Sequence, residues 1–304
     1  MIEDSLYSEI EAAGFKIKVF KAEHLKEISR DFKTFAEQGL IDKSFYRNNL
    51  ADFNYDYISI LPDAKSVMVI ASPQGKSLAE FQFKGKSFDM VVPPTYIYPT
   101  IDNRVTGILN RVFAENGHDF VRVRLPFKLL AVRSGLGQYG RNNICYVSEF
   151  GSFFRLSAFV TDYEFEEDSW GEVKAIKSCS SCSLCIDNCP TGAIDKSRFV
   201  IRAHHCLTNF NESDEPIPEW VNADWHNAVV GCMRCQDVCP HNKDRINLVE
   251  DRICFSEKET EMILDGKDFE SLPEEMRNKI SFMGMESYLH ILPRNIRLIK
   301  GLIK

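Results

Sequence analysis

Apolar residues in the opening stretch recur at helical spacing: Ile2, Leu6, Ile10 and Ala13 share one face, and Gly14 ends it. The alternating KIKVFKA that follows reads as a strand, and residues 22–38 return to a helical pattern. After the turn Pro62-Asp63-Ala64-Lys65, the run SVMVIAS is apolar at nearly every position, as a strand covered on both sides would be. The stretch from Pro73 to Pro99 carries Pro93, Pro94 and Pro99, which deny helix, and is expected to be an ordered extended loop.

From Ile101 to Glu115 the positions Ile101, Val105, Ile108, Leu109, Val112 and Phe113 predict a helix, and DFVRVRL predicts a strand. Pro126 suits the first turn of a helix through LLAVRS that stops at Gly135. NICYV and FFRLSAFVTD are two further strand candidates, and the acidic residues 162–172 read as a linker. The predicted class is α+β.

With 304 residues, 44% of them hydrophobic, the chain is long enough for two domains. No apolar run approaches the ~20 residues of a membrane span. The acidic start MIEDSLYSEIEAAG differs from a signal peptide, so no membrane association and a cytoplasmic location are expected. A net charge of −7 argues against a chain-wide grip on nucleic acid. A basic patch is confined to Arg294, Arg297, Lys300 and Lys304, in a final segment where Ile296, Ile299, Leu302 and Ile303 keep helical spacing. A solvated helix face docked on the body is the favoured reading of it.

Eight of the ten cysteines change the picture. Cys179, Cys182, Cys185 and Cys189 follow C-x2-C-x2-C-x3-C-P; Cys206 stands alone; Cys232, Cys235 and Cys239 follow C-x2-C-x3-C-P. This spacing suits two [4Fe–4S] clusters in which the thiolate before each proline ligates the other cluster. Cys179, Cys182 and Cys185 would then share a cluster with Cys239, and Cys206, Cys232 and Cys235 one with Cys189. Zinc sites or a disulfide framework are the alternatives, though the run ending in proline is more particular than paired C-x2-C. Cys145 and Cys254, among apolar neighbours, are expected to be small buried hydrophobes.

Gly135, Gly137 and Gly140 match G-x-G-x-x-G, but a helix enters and an extended segment leaves, the reverse of a dinucleotide site. Three glycines followed by Arg141, Asn142 and Asn143 exceed what a helix stop requires, and close approach of a bulky ligand is expected there.

The cysteine pattern and the segment AVRSGLGQYGRNN together resemble the epoxyqueuosine reductase family, corrinoid and iron–sulfur enzymes related to reductive dehalogenases. The turn from Leu61 to Val67 is similar to that family's turn before its early strand, and Gly135 to Asn142 to its G-L-G-x-x-G-K-N signature. The resemblance implies a nitroreductase-like α/β sandwich domain (1–170) cradling cobalamin, a ferredoxin-like double-cluster domain (171–250) and a short helical tail (251–304). It nominates Gly135, Gly137, Gly140, Asn142, Asn143 and Thr208 as cofactor contacts. The clusters would take single electrons from a flavodoxin- or ferredoxin-type donor and relay them to the corrinoid, which reduces a small molecule or modified nucleoside. An electron-transfer or corrinoid-reductase module without its own substrate, and a flavin in place of cobalamin, are the alternatives.

Two departures stand out. The family's proton-donating aspartate precedes a proline in a D-x-x-P stretch, whereas Val121 to Pro126 contains no acid, and Asp119 lies beyond the expected place. The last residues resemble only the start of the helical repeats with which tRNA-acting members grip an anticodon stem-loop, which with the acidic charge disfavours a tRNA substrate. Tyr96 and Tyr98 in the proline-rich loop are candidate proton donors, and Arg141 a candidate partner for an anionic group. Aromatic packing and a surface ion pair are their bland counterparts. His204, His205, Trp220 and Trp225 read as packing or hydrogen-bonding residues around the cysteine segments.

Overall fold

The computed structural model describes residues 1–97 and 99–300, and the side chains of Ile299 and Lys300 fall outside the description. Among the described residues the strands are β1 (Lys16–Lys21), β2 (Ser66–Pro73), β3 (Lys76–Phe83), β4 (Lys86–Val92), β5 (Phe120–Arg122), β6 (Gln138–Tyr139), β7 (Cys145–Tyr146), β8 (Phe154–Thr161) and β9 (Val249–Phe255). No helix among these residues is long and apolar enough to cross a membrane. The fold is α+β and divides into two compact units. The first comprises Met1–Pro73, Ile101–Ser183 and Lys196–Ile201; the second comprises Gln74–Thr100, Leu184–Asp195 and Arg202–Lys304.

In the first unit an antiparallel sheet runs in the order β1-β2-β8-β5. Successive side chains of a strand point to opposite faces, so the apolar run of β2 is buried on both. Val67, Val69 and Ala71 join Ala158 and Val160 of β8 under Leu25 and Ile28 of the helix Leu25–Glu37 and Leu129–Val132 of the helix Phe127–Arg133. Met68, Ile70 and Phe159 face Leu6 and Ile10 of the helix Ile2–Ala12, with Ile101, Val105 and Leu109 of the helix Pro99–Val112.

The acidic residues 162–172 form a packed strap rather than a free linker. Lys18 Nζ reaches Glu167 Oε1 at 2.7 Å, and the Lys21 N–H donates to Asp168 at 3.0 Å. Trp170 stacks on the His24 ring at 4.8 Å and donates its indole N–H to Glu27 at 3.1 Å. The acids of the strap therefore meet cations of β1, which no local composition could reveal.

The second unit corrects the expected loop between Pro73 and Pro99. The chain there makes the hairpin β3/β4, closed at Lys84 and Gly85, whose φ values of 51° and 69° permit a two-residue turn. Strand β9 lies parallel to β3, and Phe81 stacks on Phe255 with ring centroids 5.0 Å apart. Each of these buried rings contributes about 1.5–3 kcal/mol. The helices Glu257–Leu264, Glu274–Phe282 and Leu292–Lys300 supply Ile263, Met276, Ile280, Leu292 and Ile296 to the same core. Strand β9 and these three helices thus pack into the core of the second unit.

Candidate metal centre

Six of the eight motif cysteines belong to the second unit, and Cys179 and Cys182 to the first. Within the second unit, Cys189 follows the short helix Leu184–Asp187, and Cys206 opens the helix Leu207–Glu212. Cys232 follows Gly231, and Cys235 sits in the helix Arg234–Asp237. The helices bearing Cys185 and Cys235 pack together, and Asn188 Nδ2 donates to Arg234 O at 3.4 Å.

Desolvation first, with the charges of Cys206 and Cys189 adding to it and Arg234 opposing, pushes the Cys232 thiol up to about 12. Cys189 and Cys206 therefore both lie in the electrostatic neighbourhood of Cys232, and the three are among the four that crossed ligation assigns to the second cluster. A buried thiol of this kind gives up its proton when a metal binds it, so the donor set fits a thiolate-ligated cluster. No three His, Cys, Asp or Glu side chains among the described residues close on a single metal ion. Around a cubane each thiolate instead binds its own iron.

The loop before Cys232 is fastened to the cysteine helix. Asn227 Oδ1 accepts from Met233 N at 3.1 Å, and Arg234 donates to Trp225 O at 2.7 Å and Asp224 O at 2.8 Å. Trp220 packs against Phe210, His205 and Trp225, and the rings of His204 and His205 meet edge to face at 4.4 Å. Thr208 is half-buried in the helix after Cys206.

Tyr96 is buried, donates its hydroxyl to Glu212 and packs at right angles on Tyr288. Burial, then the Glu212 charge, hold its phenol well above the ordinary range, which makes it a poor proton donor. Tyr98 lies outside the described residues.

In the first unit the helix Phe127–Arg133 stops at Gly135 with φ 75°. The next two glycines are required by the chain itself. A Cβ on Gly137 would lie 2.6 Å from Cys145 Sγ, and one on Gly140 would lie 2.6 Å from the Tyr146 ring. The close approach expected of a bulky ligand is here an approach of β6 to β7. Asn142 is buried and donates to the Tyr146 hydroxyl at 3.0 Å. Asn143, at φ 54°, donates to Phe199 O and accepts from Ile201 N, both at 2.8 Å.

The Arg141 guanidinium donates twice to Cys179 O, at 3.0 and 2.6 Å, and once to Ser180 O at 3.4 Å. Lys174 O accepts from Tyr139 N, and Ile176 N donates to Tyr139 O, so the segment leading to Cys179 is tied to β6 by a parallel bridge between Tyr139 and Ala175.

Cys145 is buried as expected, and burial pushes its thiol up to about 12. Cys254 is exposed, because on β9 it alternates with the inward Ile253 and Phe255. Asp119 is an exposed residue just before β5. Sequence reasoning missed Asp102, a carboxylate buried in the first turn of the helix Pro99–Val112. Burial raises its pKa against the pull of Arg122 and Arg155. Its signal was an acid placed beside Ile101 on an otherwise apolar stripe.

Comparison with known proteins agrees with these observations. The 4Fe-4S double cluster binding domain matches residues 178–242. The epoxyqueuosine reductase of Atelocyanobacterium thalassa is 33% identical over 204 residues, covering 62% of each chain. That of Leadbetterella byssophila is 25% identical over 235 residues, covering 73% of each. The match to the Bacillus subtilis enzyme, 29% identical over 140 residues, spans 44% of this chain and only 35% of that relative. Solved epoxyqueuosine reductases from Bacillus subtilis and Streptococcus thermophilus superpose with TM-scores of 0.68 and 0.64, at 19% identity. They cover 98% of this chain and 82% and 80% of their own. The chain is similar to the epoxyqueuosine reductases, shares their fold, and matches the 4Fe-4S double cluster binding domain over residues 178–242.

Proposed function

We propose that this protein is a reductase that passes single electrons through two [4Fe–4S] clusters to a corrinoid and so reduces a small molecule or a modified nucleoside. The observation that carries the reading is the packing of the Cys185 and Cys235 helices against each other, in one compact unit that also holds Cys189, Cys206, Cys232 and Cys239. When bound, a cubane supplies one electron at a time, so a two-electron reduction calls for a second cofactor. The chain's own part is positional. Arg141 holds the Cys179 loop, Asn227 and Arg234 hold the Cys232 loop, and a flavodoxin- or ferredoxin-type protein in a reducing compartment is the proposed donor.

Cys145 and Tyr146 lie against Gly137 and Gly140, so the need for glycine at both positions is met within the chain. The cobalamin assignment rests on kinship with the epoxyqueuosine reductases, and flavin is the competing cofactor. Anaerobic protein should analyse for roughly eight irons per chain, and added cobalamin should shift its visible spectrum. Zinc in place of iron overturns the cluster reading; extracted flavin without cobalt overturns the corrinoid reading.

A solved epoxyqueuosine reductase of the same fold holds an epoxyqueuosine-modified tRNA stem loop. For this chain the net charge of −7 disfavours so polyanionic a partner. Arg294 and Arg297, two of the four basic residues near the end, already donate to backbone carbonyls. Salt-dependent binding of a tRNA stem-loop would reverse this preference. A second reading, an electron-transfer module with no substrate of its own, is favoured by the acid-free Val121 to Pro126 stretch and by the engagement of Tyr96 with Glu212. Cluster reduction handed to a separate corrinoid protein or flavoprotein, with no substrate turned over, would establish it.

A further inference from the structure

We infer that Asn295 is a positioning residue for the second cluster, holding the segments that carry Cys206 and Cys232 in register; the inference rests on the double-cluster reading above. Asn295 lies on the helix Leu292–Lys300 and is 1% exposed, between the buried Leu292 and Ile296. A buried amide is tolerated in such a place when its hydrogen bonds are made. Its Nδ2 donates to Asn211 O at 3.0 Å and to Val229 O at 2.9 Å.

These two acceptors belong to different cysteine segments. Asn211 lies in the helix that Cys206 opens, and Val229 lies three residues before Cys232. The Asn211 side chain completes the link, donating to Gly231 O at 2.7 Å, one residue from Cys232. Arg294 fixes which end of the Asn295 amide is the donor, since its Nε–H donates to Asn295 Oδ1 at 3.1 Å. The same guanidinium binds the carbonyls of Phe210, Ser213 and Glu215, where the Cys206 helix ends. Backbone placement around the sulfurs governs their hydrogen bonding and solvation, and those set a cluster's potential.

The test compares Asn295→Leu, of similar volume but without donors, with Arg297→Ala. Arg297 lies on the same helix and donates to Leu264 O at 2.8 Å, away from the cysteine segments. Anaerobically purified protein is titrated electrochemically and followed by electron paramagnetic resonance, with iron counted per chain. The expected result is that Asn295→Leu shifts the potential of one cluster signal, or lowers the count from two clusters toward one, while Arg297→Ala leaves both signals as in the parent. Asn295→Asp, isosteric but lacking the donated pair, should reproduce the shift if the leucine variant is insoluble. Unchanged signals in a folded Asn295 variant, or the same disturbance from Arg297→Ala, overturn the inference. A parent protein without clusters overturns the double-cluster reading itself.

Discussion

The hydroxyl of Tyr96 stands over Gly231, so that a Cβ added to the glycine would lie 2.6 Å from the phenolic oxygen. Gly231 also has φ 78°, a conformation that costs other residues about 1–3 kcal/mol. Gly231→Ala is therefore expected to destabilise the second unit by at least that amount and to weaken retention of the cluster that includes Cys232. Tyr96→Phe removes the hydrogen bond to Glu212 and should cost about 1.5–3 kcal/mol in denaturant titrations. The pH profile of any reductase activity should stay in place. A profile displaced by Tyr96→Phe would restore the tyrosine as a proton donor.

Arg141 presents a forked donor to Cys179 O and Ser180 O. Its replacement by alanine should cost about 1.5–3 kcal/mol in the ligand loop, seen as iron release to a chelator roughly ten- to a hundredfold faster. Arg141→Lys should recover little, because an ammonium lacks the planar fork. Equal chelation rates for all three proteins would show that the loop holds without the guanidinium.

Crossed ligation makes a prediction about Cys189. It closes the first cysteine run in sequence yet lies within electrostatic range of Cys232. Cys189→Ala should therefore alter the cluster signal that Cys206→Ala alters, and spare the one altered by Cys179→Ala. Paramagnetic resonance of the three variants decides it, and co-variation of Cys189 with Cys179 would mean that each run closes its own cluster.

Asp102 should leave a signature in stability against pH. Arg122 approaches it at 2.5 Å without hydrogen-bond alignment, and that arginine is 41% exposed, so water screens its charge. Burial prevails and the folded carboxyl titrates above its unfolded value. Below the unfolded value of about 3.9 both states are protonated and the group has no effect. As pH rises through the raised native value, ionisation destabilises the fold. Relative to the parent, Asp102→Asn should gain stability as pH rises from acid to neutral, measured as the difference in denaturant midpoint. A difference independent of pH would show that Arg122 and Arg155 neutralise the burial.

The cysteine array was legible in the sequence because a cubane imposes its ligand spacing on a short stretch of chain. The both-face burial of β2 was legible for a similar reason, since an apolar residue at every position leaves no wet side. The hairpin at residues 76–92 was obscured by the prolines after it, although Lys84 and Gly85 mark its turn. The acidic strap read as a linker because the partners of its acids, the Lys18 ammonium and the His24 ring, lie about 150 residues away along the chain.

Periodicity states that a residue faces a core, never which core or which neighbour, and it registers a polar side chain on a helix as solvated. The sequence by itself thus determined the α+β character, the cysteine segments and the helix stop at Gly135. Only the tertiary structure decided that Gly137 and Gly140 make room for Cys145 and Tyr146, that Arg141 binds the carbonyl of Cys179, and that Asn295 ties together the segments of Cys206 and Cys232. A buried hydrogen bond requires both partners to be brought together by the packing of distant elements, and that meeting is written in no local stretch of the chain.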